Sequence, residues 1–295
     1  MSRPQFPIVL PDDLKERTTA LYLRGLPRGD LPGWRGLDDL YSVTSSQLTV
    51  ITGIPGSGKS EFLDALATNL AETAGWSFAV YSPENYPTEI HMAKLTEKHL
   101  RKPFGAGPTE RMTLAEMNAA VDWVNDRFRW LQPSYPNYGR LLEAALFFRE
   151  PGQKKFGIIL DPWNSLEHLR PSGMTETEYV CAALTDMINL SRKEDFHLFL
   201  VAHPTKMTRD PKTGVRPIPT PYDISGGAHW FSKPDNILTV HRDQVNRTQA
   251  VEIHVQKIRF KHLGHIDVAR LLYDRVTGRY FDAPPDRTTD AIGNF

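Results

Sequence analysis

One short stretch constrains this chain more than any other. The apolar run Leu48-Thr-Val-Ile-Thr52 gives way to Gly53-Ile-Pro-Gly-Ser-Gly-Lys59-Ser60, and a helix-forming run, Glu61-Phe-Leu-Asp-Ala-Leu66, follows at once. The middle segment fits G-x-x-x-x-G-K-S/T at every specified position, in the strand-before, helix-after context that the pattern needs. Its glycines let successive backbone N–H groups turn inward, and the helix N-terminus adds its dipole, so such a loop cradles nucleotide phosphates. Lys59 would then reach the β- and γ-phosphates, and the Ser60 hydroxyl would ligate Mg²⁺. A glycine-rich turn that binds nothing is the alternative.

The rest of the chain supports a sheet of the matching kind. Strand-like apolar runs recur at 47–53, 77–81, 127–131, 156–161 and 197–203, separated by helical patterns at 60–73, 88–100, 114–126, 138–149 and 176–193. Nearly unbroken apolar strands alternating with helices imply a parallel sheet covered on both faces. Thr113-Leu-Ala-Glu116 reads as a capping box for the third of these helices. After His203 the runs 236–241, 250–257, 267–273 and 278–281 follow one another through short turns, which predicts a finish in antiparallel strands. Residues 204–223 read as a long, proline-rich loop, a kind that is usually functional or mobile. The segment before residue 35 is rich in Pro and Gly, with one short helix from Asp12 to about Arg24 in which Leu14, Leu21 and Leu23 form a partial apolar face. It reads equally as a docking arm or as a lead-in, and the residues from Pro284 read as a tail.

Composition excludes several classes. No 18-residue apolar run is present, so no membrane span is expected, and the N-terminus lacks the apolar core of a signal peptide. The single cysteine, Cys181, rules out an internal disulfide and fits a reducing cytoplasm. Lys plus Arg (35) equals Asp plus Glu (35), so any nucleic-acid contact must be local rather than a general basic coat. One cysteine and histidines without ligand spacing build no zinc site.

Three further residues fall where nucleotide chemistry needs them. The run Phe156-Gly-Ile-Ile-Leu-Asp161 ends in an acid, as a strand that orients the metal's water ligands does. Glu84, in Ser82-Pro-Glu-Asn85, and His203, closing His197-Leu-Phe-Leu-Val-Ala-His203, sit at the same C-terminal sheet edge, where ligands bind in such folds. Glu84 could orient a hydrolytic water and His203 could sense a γ-phosphate. A surface glutamate and a strand-end histidine account for the same residues.

Taken together, GWRGLDDLY, VITGIPGSGKSEF, AVYSPEN, IILDPWNSLEH, LVAHPTK, PTPYDISGGAHW, DNILTVHRD, VQKIRF and LLYDRVTGRY, in that order, resemble the RecA-like motor domain of DnaB-type ring helicases. The Twinkle-like branch, related to phage primase-helicases, is most similar. The resemblance spans Gly33 to Phe281 and implies an α/β fold: a RecA-like P-loop NTPase core, mostly parallel and flanked by helices, with C-terminal antiparallel strands. It divides the chain into an arm (1–32), a motor domain (33–283) and a tail (284–295). It implies ATP and Mg²⁺ held around Gly53, Pro55, Gly56, Ser57, Gly58, Lys59, Ser60 and Glu61, with Ser60 and Asp161 at the metal. Glu84 would be the water-polarising acid and His203 the γ-phosphate contact. Arg259, with Lys257 beside it, would reach a neighbouring subunit's nucleotide, and Arg242 and Tyr273 would sandwich the base. Single-stranded DNA would meet Lys206, Arg209 and Lys212 and the loop Ser225-Gly226-Gly227. The implied activity is ATP-driven DNA unwinding by a ring, expected to be hexameric, with a primase or polymerase as partner. The family's usual primase-like or zinc-containing region is not present in this sequence, so the chain is either a motor alone or the motor piece of something longer. A DNA-dependent recombinase-like ATPase that does not unwind, and a nucleotide-gated assembly module, are the alternative readings.

Overall fold

The computed structural model describes residues 11–209, 216–243 and 249–284. In chain order the elements are α1 (Pro11–Arg24), α2 (Arg35–Asp38), β1 (Leu48–Thr52), α3 (Lys59–Ala74), β2 (Ser77–Tyr81), α4 (Thr88–Leu100), α5 (Leu114–Arg127), β3 (Phe128–Trp130), α6 (Tyr138–Phe147), β4 (Phe156–Leu160), α7 (Glu176–Glu194), β5 (His197–Val201), α8 (His229–Ser232), β6 (Asn236–His241), β7 (Ala250–Ile258), β8 (Asp267–Tyr273) and β9 (Tyr280–Asp282). The strands form one sheet in the order β3-β2-β4-β5-β1-β6-β7-β8-β9. Pairing is parallel from β3 through β6 and antiparallel from β6 to β9. The RecA-like arrangement expected from the sequence is present, including the antiparallel finish.

Burial follows strand type. β1, β2, β4 and β5 are buried at every residue because helices cover both faces. On one face α3, α4 and α5 pack with Trp34, Leu37 and Tyr41; on the other, α6 and α7 pack with Trp163 and Trp230. Alternation decides which residue goes where: Leu48 and Val50 join the second layer, and Ile51 joins the first. β7 instead alternates, with Val251, Ile253 and Val255 in the first layer and Glu252 and His254 on a half-open face. The antiparallel half is therefore covered on one side only.

Local chemistry sets the ends of the helices. Thr113 and Glu116 form the expected capping box on α5, and Thr175 with Glu178 forms a second on α7. Asn137 caps α6, and Gly75 ends α3 in the left-handed conformation. The chain meets the core from Asp30, which pairs with Val43 and accepts from the Trp76 indole at 2.7 Å, while the Trp34 indole donates to the Tyr280 carbonyl at 2.8 Å. Ahead of that, α1 covers Pro11–Arg24, and Leu14, Leu21, Tyr22 and Leu23 are all exposed. Among the described residues no helix is long and apolar enough to cross a membrane.

Candidate nucleotide site

The site lies at the C-terminal edge of the parallel strands. β1 delivers Gly53, whose φ of 150° and closeness to β6 admit no side chain: a Cβ there would sit 2.3 Å from the Val240 carbonyl oxygen. The loop closes on Gly58, left-handed at φ 98°, which hands the chain to α3. Lys59 is buried, and its ammonium donates to the carbonyls of Gly53 (2.9 Å) and Ile54 (3.2 Å), folded back over its own loop. Burial lowers its pKa, and the charges of Asp161 and Glu84 oppose that shift. Ser57 is fully buried, with a hydroxyl that has no partner.

Asp161 follows β4 directly and is buried. Burial raises its pKa to about 6, with Asp64 and Glu84 adding repulsion and Ser60 and Lys59 pulling the other way. Its Oδ1 is a buried orphan in hydrogen-bonding geometry, and Oδ2 accepts from the Ser82 hydroxyl at 3.4 Å. A buried carboxylate with an orphan oxygen, influenced by the Ser60 hydroxyl at the start of α3, fits a site for a hard divalent cation, which takes oxygen ligands and keeps its waters. Glu84 is exposed on the turn after β2, and its charge is felt at Lys59, Asp161 and His203 alike. His203 is half-buried; its backbone N–H donates to Asn164 Oδ1 at 3.2 Å, and burial with the nearby Lys59 lowers its pKa despite Glu84. The structure thus brings Lys59, Ser60, Glu84, Asp161 and His203 into one electrostatic group.

The remaining candidates form a second group on the antiparallel strands. Arg242 acts electrostatically on Tyr273 and Tyr280, whose rings lie 5.1 Å apart. The Tyr273 pKa is pushed up to about 12 by burial and the Glu61 charge. Tyr280, which the sequence did not single out, places its hydroxyl 3.5 Å from the Gly58 carbonyl. Arg259 is anchored: its Nε pairs with buried Asp235 at 2.6 Å, and a terminal nitrogen donates to the Lys233 carbonyl at 2.8 Å. Lys257 donates to the Phe231 carbonyl at 2.6 Å and lies over the Phe231 ring. Burial and Arg259 lower its pKa to about 8.

No family model matches the chain. The Arabidopsis thaliana Twinkle homolog protein, chloroplastic/mitochondrial, is 40% identical over 287 residues, covering 92% of this chain and 39% of that protein. Over nearly its whole length the chain is similar to part of a Twinkle homolog. The chain spans well under half the length of that curated relative. A DnaB-like replicative helicase, solved with its interactions with primase, superposes at TM-score 0.74 with 15% identity, covering 92% of this chain and 70% of the other. The RadB recombinase superposes at 0.54 with 13% identity, over 86% and 99% respectively.

The two segments expected to meet DNA lie side by side. Thr205 donates to the Asp223 carbonyl at 2.7 Å, and Pro204 bridges to Ile224, directly after His203. Lys206 and Arg209 are exposed; Lys212 lies outside the described residues. Ser225 donates to Glu176 Oε1 at 2.7 Å. Gly226 has a packing reason of its own, since a Cβ there would come within 2.6 Å of Val180 on α7. Gly227 is left-handed as well. Glu61, placed around the nucleotide by the resemblance, turns its carboxylate to Lys94 and Lys98 on α4. Lys94, Asn85, Asp64 and His91 were not anticipated. Only the heptad-like spacing of His91, Lys94 and Lys98 on one face of α4 could have marked them.

Proposed function

We propose that the chain is the ATP-driven motor of a replicative-type DNA helicase, acting as a ring on single-stranded DNA. The observation that carries this is the joint placement of Lys59, Ser60 and Asp161 with Glu84 and His203 at one sheet edge. On nucleotide binding, Lys59 exchanges its loop carbonyls for phosphate oxygens, and backbone N–H groups of residues 53–60 cradle the phosphates. Ser60 and Asp161 would hold Mg²⁺, which supplies charge neutralisation at the transferred phosphoryl group. Glu84 accepts the proton of the attacking water and His203 faces the terminal phosphate. Arg259 and Lys257 complete the site of the next subunit, and Arg242 and Tyr273 enclose the base. The Lys206–Arg209 segment and the Ser225–Gly227 loop would follow the DNA backbone without reading sequence. The exposed apolar residues of α1 support an arm that docks on an adjacent copy.

The test is steady-state ATPase across protein concentration, with and without single-stranded DNA, alongside displacement of a forked duplex. The rate should climb with both concentration and DNA, and Lys59→Ala should lower it by about 100-fold or more. A DNA-stimulated rate without strand displacement would favour a filament ATPase, the reading that the weaker likeness to RadB supports. A slow rate indifferent to both additions would leave only a nucleotide-gated assembly module.

A further inference from the structure

A lysine on α4 joins the phosphate-loop helix to the turn that carries Glu84. His91, Lys94 and Lys98 lie on one face of α4, three and four residues apart, and meet Glu61 and Asp64 in the first turns of α3. Lys98, almost wholly buried, pairs with Glu61 Oε2 at 2.6 Å. The Trp130 indole donates to His91 Nδ1 at 3.1 Å, which leaves Nε2–H to face Asp64 Oδ1 at 3.0 Å. Between them the Lys94 ammonium meets Glu61 Oε1, stands 4.0 Å from Asp64 Oδ2, and donates to Asn85 Oδ1 at 2.9 Å. Asn85 passes the link on, donating to the Ser82 hydroxyl at 3.0 Å, which reaches Asp161. Glu84 therefore sits on a turn tied on one side to the end of β4 and on the other to α3, the helix that follows the phosphate loop.

We propose that Lys94 is a positioning residue for hydrolysis, holding the Glu84 turn in register with the bound phosphates through Asn85. Its ammonium pairs with Glu61 on α3, with Asp64 of the same helix 4.0 Å away, and donates to Asn85, its acceptor on the Glu84 turn. Its charge also offsets Glu61 and Asp64 next to Asp161. Burial works against that charge, and the two carboxylates outweigh the burial, leaving the lysine pKa raised. Lys94 touches neither nucleotide nor water on this account, so its removal should lower turnover without loosening ATP. The inference rests on the ATPase reading above.

The experiment compares wild type, Lys94→Met, Lys94→Arg and Asn85→Ala in DNA-stimulated turnover and in binding of a fluorescent ATP analogue. Lys94→Met and Asn85→Ala should each lower kcat by about 10-fold to 100-fold, the scale of a misplaced reacting group. KM and analogue affinity should stay within about two-fold, and Lys94→Arg should recover most of the loss. The Lys94→Met, Asn85→Ala double variant should be no worse than the poorer single, because both cut one link. Wild-type turnover with an unchanged kcat in Lys94→Met overturns the positioning role and leaves the ATPase reading intact. So do parallel losses of kcat and analogue affinity, or additive effects in the double variant. A wild type that binds the analogue but never turns it over overturns both.

Discussion

At the scale of single residues, the site pairs a lysine held in reserve with a carboxylate under stress. Lys59 already has two carbonyl partners, so nucleotide binding replaces contacts rather than creating them all anew. Asp161 is the reverse case, because burial has raised its pKa from 3.8 to about 6. A raised carboxylate contributes stability that is complete below about pH 4 and is lost as pH climbs through about 6. Asp161→Asn should therefore raise metal-free stability at pH 8, by up to about 3 kcal/mol, while abolishing Mg²⁺-dependent turnover. Thermal melts with and without Mg²⁺ check both parts. In the wild type, Mg²⁺-dependent nucleotide affinity should fall by up to about 10-fold per pH unit below 6, as the proton competes for the same oxygens. These two residues were legible in the sequence because Lys59 belongs to a motif fixed by spacing and Asp161 closes an apolar strand-like run. Lys94 was not, because its meaning comes from α4 crossing α3 and from Asn85 lying nine positions earlier.

At the scale of elements, the α5 capping box was read from Thr113 and Glu116, while the same pattern at Thr175 and Glu178 went unread. The sequence Thr175-Glu-Thr-Glu178 offers a second Thr–Glu dipeptide two positions along, so the threonine outside the helix is not singled out. Both boxes have the reciprocal bonds, with Thr175 accepting from Glu178 N at 3.2 Å and its own N–H reaching Glu178 Oε2 at 2.8 Å. Thr175→Ala should cost about 1 kcal/mol, visible as a lower urea midpoint with an unchanged slope. Strand positions were legible because buried parallel strands are continuous apolar runs. The anchoring of Arg259 was hidden, since Asp235 is an unremarkable acid in sequence and becomes its partner only when β6 and β7 pair.

The whole molecule has a buried polar seam across its sheet. His197 on β5 is fully buried, with Nδ1–H donating to the Thr44 carbonyl at 2.6 Å and Nε2 accepting from Thr49, which in turn meets Tyr41 at 2.8 Å. Burial lowers the His197 pKa to about 4, against the Thr44 carbonyl and Asp235. A depressed histidine contributes stability that is whole above about pH 6.5 and is lost as pH falls toward 4. The loss should approach about 3 kcal/mol across that window, and His197→Gln should flatten the slope of melting temperature against pH. α1 gives a second expectation at this scale. A 14-residue helix with exposed leucines is marginal alone in water. Removing residues 1–24 should leave the melting temperature within a few degrees and weaken self-association, as sedimentation would report.

Strand order has one more consequence. β1, which ends in the phosphate loop, lies between β5, which ends in His203 and the segment toward DNA, and β6, which leads through Arg242 to the hairpin bearing Arg259. Each neighbour is a single ladder of hydrogen bonds away. On the proposed reading, a change at the terminal phosphate stands at a fork rather than at the head of a relay. Cargo and next subunit are equally near to it, so the timing between grip on the strand and firing of the neighbour must be set by the loops, not by the sheet.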